Sequence, residues 1–290
     1  MTLRLKILWR AIGLLASVTI CGAVQAAVSC SVTATLPAST YIATTATATT
    51  GSVTVTCSRL LTDPTSASTG YNSGTGTVAY TIGTDQGANT GTTIAVFGAN
   101  QLNYDLFRPT AFTSAWTTNT TAGTVTFPSG ATMASNATQF QMKVAAGLWT
   151  SPEGTYTELV TVTLIHGTQN KLTNFTNSVQ INPICTFPTA PGDVDFGPYN
   201  ALATGVALTA TTPFRIRCTK GVLFSLAFDA AANTLLGLNY GLTITPNASA
   251  TSGGSTLTRN ISGTMAAGQA GICNSATCVG SQPRTLTLSY

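Results

Sequence analysis

The sequence contains one histidine, His166, and no Cys-x-x-Cys spacing, so the usual ligand sets of a zinc site are missing. His166 would also have to be the base of any serine triad, and no Gly-x-Ser-x-Gly elbow accompanies it. Charged residues make up only 7% of the chain, and its lysines and arginines are scattered, which excludes the clustered basic footprint of a nucleic-acid binder. Asp193 and Asp195 lie two apart, on one face of an extended segment, but no third group stands with them to form an acid–base site. Glycine-rich phosphate loops and dinucleotide fingerprints are absent too. The reading is of a protein without a catalytic centre, metal or cofactor.

Long apolar runs are missing after the first 26 residues. At the start, Arg4, Lys6 and Arg10 precede an apolar stretch that ends in Val24-Gln25-Ala26, a small-x-small cleavage pattern. The stretch falls short of the ~20 residues of a spanning helix, so residues 1–26 read as a secretory signal peptide cut after Ala26. The leader carries three of the twelve basic residues, and without it the formal charge of +4 drops to +1. Cys21 leaves with the leader. The six remaining cysteines form an even set in an exported chain, which favours disulfides. Their two wide pairs and one tight pair suggest Cys30 with Cys57, Cys185 with Cys218, and Cys273 with Cys278.

What is abundant is Thr, Ser, Ala, Gly and Val. Threonine and valine suit half-buried pleated surfaces, while Gly, Asn and Pro supply turns, so the composition predicts many short strands. Alternation marks strands at 51–57 (GSVTVTC), 77–82, 92–97, 124–127, 140–144, 155–164, 214–218, 223–228 and 284–290, with no competing helical period. Residues 63–76 and 246–255 read as loops.

An internal repeat sets the organisation. Leu102-Asn103-Tyr104-Asp105-Leu106 returns as Leu238-Asn239-Tyr240-Gly241-Leu242, and Ala145-Ala146-Gly147 returns as Ala266-Ala267-Gly268. Each copy opens on a cysteine, has a second about 30 residues on, and closes with an alternating strand, which predicts two similar domains.

These residues resemble the spore coat protein U family, subunits of the archaic chaperone-usher pili. In the second copy, Cys185, the segment Val194-Asp195-Phe196-Gly197-Pro198-Tyr199 and the strand Phe214-Arg215-Ile216-Arg217-Cys218 are similar to the family's opening. In the first copy, Leu102 to Leu106 with Trp116 resembles the Tyr-Asn-Leu-Tyr segment and its following tryptophan. There, GTYTELVTVTL from Gly154 resembles the Gly-Thr-Tyr-x-Asp-x-Val-x-Val-x-Val ending. The resemblance implies all-β, immunoglobulin-like sandwiches of the pilin type. A pilin of this kind lacks its last strand, is held by a periplasmic chaperone, is passed to an outer-membrane usher, and is completed by an adjacent pilin's strand.

Only Ala27, Val28 and Ser29 stand between the expected cleavage point and Cys30, where a donor strand of about ten residues is expected. That departure narrows the resemblance to the two-domain tip adhesin, a surface-exposed subunit for attachment to abiotic or host surfaces and for biofilm formation. The expected domains are 27–167, adhesive, and 168–290, completed by an adjacent pilin. The joining segment 168–184, with Leu172, Phe175, Val179 and Ile181, is too apolar for a free linker and reads as a strand, with completion of domain 1 in cis as one use for it. Apolar residues in loop positions, Leu148, Trp149, Leu60, Leu61, Val96 and Phe97, are the candidate adhesive tips, although Val96 and Phe97 also fit the end of a buried strand. Leu286, Leu288 and Tyr290 form the expected chaperone-binding strand. An adaptor pilin and an exported carbohydrate-binding module, with Trp116 and Trp149 in an aromatic platform, are the other functional readings.

Overall fold

The structure is a computed structural model that describes residues 28–85, 93–108, 114–117, 121–200 and 205–290. The expected signal peptide and its cleavage point lie outside the described residues. Among those residues the chain is all β, with no helix. Twelve strands gather around the first hydrophobic core and eight around the second.

The first unit contains β1 (Ser29–Thr35), β2 (Ser39–Tyr41), β3 (Thr47–Ser58), β4 (Tyr71–Asn72), β5 (Thr77–Thr84) and β6 (Ile94–Phe97). It continues with β7 (Asn100–Asn103), β8 (Asp105–Phe107), β9 (Thr121–Thr126), β10 (Met133–Val144), β11 (Gly154–His166) and β12 (Gln169–Ile181). One sheet runs β1-β3-β10-β8, and the other runs β2-β12-β11-β5-β4. Alternation explains the layering. In β3, Val53, Val55 and Cys57 point inward while their neighbours face out, and in β11 Tyr156, Val160, Val162 and Leu164 do the same. Phe140 carries the centre, with its ring 4.9 Å from Trp116 and 5.0 Å from Phe175.

The strand β12 corrects the expected boundary at residue 167. It pairs with β11 over its full length, from Gln169 opposite His166 to Ile181 opposite Gly154, and its far edge pairs in parallel with β2. Phe175, Val179 and Ile181 are buried in the first core. The joining segment is therefore a core strand, and the change of core falls between Ile184 and Cys185. Its inward residues repeat every second position, and burying them outweighs any tendency to remain a linker.

The second unit contains β13 (Cys185–Thr189), β14 (Leu208–Cys218), β15 (Leu223–Phe228), β16 (Ala232–Leu235), β17 (Leu238–Thr245), β18 (Ser249–Thr251), β19 (Leu257–Met265) and β20 (Leu286–Ser289). Its sheets run β13-β14-β19-β17-β16 and β18-β15-β20. The short strands β4 and β18 fall inside segments read from the sequence as loops. The repeat superposes in register: Leu106 pairs with Met142, three residues before Ala145, and Leu242 pairs with Gly263, three before Ala266. Disulfides join Cys30 to Cys57 and Cys185 to Cys218, each tying the first strand of its unit to the strand that pairs with it, and Cys273 to Cys278 within one loop.

Candidate functional site

The two units differ at one sheet edge. In the first, β11 has β5 on one side and β12 on the other. In the second, β20 pairs with β15 from Leu286 opposite Phe228 to Ser289 opposite Ser225, and its other edge has no strand partner among the described residues. Where β20 begins, at Leu286, a groove of about 800 Å³ opens in the second unit. One wall is formed by Val194 and Phe196, the other by Leu286, and the floor by Tyr240, Leu242 and Ile261. Groove and core are continuous. In the second core more of the apolar members are half-buried than buried, Val194, Phe196, Leu286 and Leu288 among them, whereas nearly all of the first core is buried. An open edge of this kind offers unpaired backbone groups and apolar side chains together, the combination that proteins ordinarily cover.

Most of the polar contacts at the groove mouth join Tyr240, Gln282, Arg284 and Asp229, while Arg284 Nη2 is buried without a hydrogen-bond partner. The Tyr240 hydroxyl donates to Gln282 Oε1 at 2.6 Å and accepts from Arg284 Nε at 2.8 Å, and Arg284 forms an ion pair with Asp229 at 3.4 Å. Desolvation opposes ionisation of Asp229, but the N–H groups of Ala230 and Thr285 and the Arg284 charge outweigh it and hold the carboxyl below its usual range. The equivalent tyrosine of the first unit, Tyr104, is buried and donates to the buried Glu158 of β11. Desolvation, then the hydrogen bond and charge of Glu158, push its phenol far above the ordinary value. The same repeat residue thus seals a closed core in one unit and lines an open one in the other.

The expected apolar tips separate into three places. Leu60 and Leu61, 50% and 60% exposed, sit at the end of the first unit away from the second. They project because both flanks are pinned. The Arg59 N–H and Nε donate to the carbonyls of Thr132 and Ala131, its guanidinium lies 4.5 Å from the Phe127 ring, and the Leu60 N–H donates to Asp63 at 2.8 Å. Exposed Met133 begins β10 opposite Ser58, beside them. Val96 is half-buried, and Phe97, though exposed, leans on Tyr156 with ring centroids 5.7 Å apart.

Leu148 and Trp149 are corrected. Leu148 is half-buried and Trp149 is only 7% exposed, at the joint between the units. Arg217 lies 4.8 Å over the indole, the Trp149 carbonyl accepts from the Lys220 N–H at 2.9 Å, and a Cβ on Gly254 would come within 2.6 Å of that carbonyl oxygen. An aromatic between Ala-Gly and Ser-Pro looks like an exposed loop tip until a second unit is packed against it.

The profile of the Spore Coat Protein U domain matches residues 15–163 and 171–242, well over half of the chain. The chain belongs to the Spore Coat Protein U domain family. No curated relative matches. Among solved structures, this spore coat U protein is similar to the CsuC–CsuE chaperone–tip adhesion subunit pre-assembly complex of archaic Csu pili from Acinetobacter baumannii. That likeness has 10% identity and TM-score 0.49, over 90% of this chain and 100% of the other. The CupB6 tip adhesin of Pseudomonas aeruginosa is similar at 10% identity and TM-score 0.33, over 89% and 93% of the two chains. For CfaE, the adhesive subunit of CFA/I fimbria of enterotoxigenic Escherichia coli, the values are 11%, 0.26, 50% and 46%.

Sequence reasoning about this spore coat U chain missed several placements. His166 reads as a solvated strand end, yet it is buried at the inward parity of β11 beneath the turn at 66–70, its Nδ1 3.0 Å from the Thr69 carbonyl. Met133 gave no local signal, because only its register opposite Ser58 brings it to Leu60 and Leu61. Tyr240 was legible through the repeat, but its role at the groove was not. Asp193 and Asp195 are exposed at the groove rim. Among the described residues no three His, Cys, Asp or Glu side chains gather to hold a metal, and no helix is long and apolar enough to cross a membrane.

Proposed function

We propose that this protein is a non-enzymatic, surface-exported subunit of a chaperone-usher pilus, placed at the tip. Its first unit binds a surface and its second receives a neighbour's strand. The observation that carries the reading is the open edge of β20 beside the groove, set against the doubly paired β11 of the first unit. Membership of the spore coat U family supplies the partners. A periplasmic chaperone covers the edge first, an outer-membrane usher receives the complex, and an adjacent pilin then inserts its strand. Leu286 and Leu288 already pack against the second core, so an incoming strand that alternates apolar residues extends that core while its backbone pairs with β20.

The tip position is supported by the first unit's completion in cis, which leaves this groove as the strand-accepting edge of the chain and frees the far end of the first unit. There, Leu60, Leu61 and Met133 form an exposed apolar group suited to a weakly hydrated abiotic or host surface, and attachment through many pili supports biofilm formation.

The test is periplasmic expression of the full chain and of residues 27–184, each with and without the pilus chaperone. The full chain should require the chaperone for soluble yield and co-purify with it, and residues 27–184 should accumulate alone. A full chain that accumulates as a free monomer without chaperone would overturn the proposal and favour an independent binding module.

A further inference from the structure

The joint inside this chain indicates where a neighbouring subunit must sit. β12 runs antiparallel to β11 and leaves the first unit at Ile181, and the second unit begins at Cys185. The loop that meets the second unit there is the β10–β11 connection, residues 145–153, through Trp149 against Arg217 and Lys220. A strand bound antiparallel to β20, as β12 is to β11, leaves the second unit at the Leu286 end, away from the joint. The loop at that end is the β19–β20 connection, residues 266–285, which takes the place in the repeat that 145–153 takes in the first unit.

This second loop is built differently. It spans twenty residues against nine, and Cys273–Cys278 closes its middle. It is seated on the turn between β16 and β17: the Ile272 N–H donates to the Leu236 carbonyl at 2.9 Å, and a Cβ on Gly280 would meet the Leu235 and Leu236 side chains at 3.0 to 3.1 Å. On either side of the disulfide Ile272 is 70% exposed and Val279 is 98% exposed. Two large apolar side chains on a stapled, seated loop lose little freedom when covered, which favours a docking contact.

We propose that the disulfide-closed loop around Ile272 and Val279 is the docking surface for the folded body of the subunit whose strand fills the groove. It is the counterpart, between subunits, of the Trp149 contact within this chain. The inference rests on the strand-acceptor reading. A carrier of a strand that exits at Leu286 has its body next to this loop, and the groove then provides the backbone pairing while the loop fixes the orientation.

The experiment places a photo-crosslinking benzoylphenylalanine at 279 and, separately, at the exposed position 287 of β20, in cells that assemble the pilus. The expected result is that both capture the same subunit, position 287 through its N-terminal strand and position 279 through its folded body. A chain with Ile272→Asp and Val279→Asp, both exposed, should still capture that strand through 287 but join the subunit about tenfold more slowly, the order expected for two apolar contacts. Capture through 287 with none through 279, or with only the chaperone at 279, overturns the docking surface and leaves the strand-acceptor reading standing. Failure to capture any strand through 287 overturns both.

Discussion

Replacing Phe175 with alanine tests whether β12 is a structural strand of the first unit. Phe175 is buried, and its ring packs at a tilt against Phe140, which packs in turn at a tilt against Trp116. Truncating such a ring in a closed core costs about 3–5 kcal/mol, through lost transfer energy and the cavity left behind. Leu172 lies on the same strand but is exposed, and Leu172→Ala should cost no more than about 0.5 kcal/mol. With a urea dependence of about 2 kcal/mol per molar, Phe175→Ala lowers the unfolding midpoint of the first unit by about 1.5–2.5 M, and Leu172→Ala barely moves it. Fluorescence of Trp116, read in a chain with Trp149→Phe, isolates that transition, because Trp116 is buried in the first core while Trp149 also touches the second unit. Similar small shifts for the two variants would show that the segment after Gly167 is a tether, and the division of the chain would return to 167.

Three further outcomes are expected. Leu60→Ser with Leu61→Ser should leave the urea midpoint unchanged but reduce attachment of pili to a hydrophobic surface about tenfold, on the basis of about 1 kcal/mol or less per half-exposed leucine; unchanged attachment in a flow-cell assay would remove these residues from the adhesive site. Reduction of the disulfides should destabilise the first unit by about 3.5 kcal/mol in the chain-entropy model and the second by more, since the closed loops span 27 residues in the first and 33 and 5 in the second, read as earlier urea transitions in dithiothreitol. Stability should also fall above about pH 10, at up to about 1.4 kcal/mol per pH unit for each buried tyrosine. Tyr104, Tyr41, Tyr80 and Tyr156 all have raised phenol values, so the native state keeps protons that the unfolded chain releases, and their stabilisation is complete below the unfolded value and lost above it. Urea midpoints flat from pH 8 to 11 would contradict this.

Local chemistry carried much of the reading. Alternation placed β3, β11 and β14 because an inward valine, leucine or phenylalanine at every second residue has only one stable use. The repeated Leu-Asn-Tyr segment identified equivalent strands, since the same side chains answer the same packing demand in each unit. Burial in loops was not legible in this way. Trp149 lies in a short loop with ordinary loop neighbours, and its environment comes from Arg217 and Gly254, far along the chain. His166 likewise has strand-end neighbours and is covered by a turn a hundred residues earlier.

The sequence by itself determined an all-β chain of two related units, its family and the pattern of inward residues, because these depend on side-chain period and repetition within short stretches. Only the tertiary structure decided that β12 closes the first core, that the matching edge of β20 has no strand partner among the described residues, and that Trp149 is buried at the joint while Leu60 and Leu61 stay exposed. Each of those outcomes depends on which backbone edges and surfaces meet across long separations, and a strand's own residues are the same whether its edge is paired or bare.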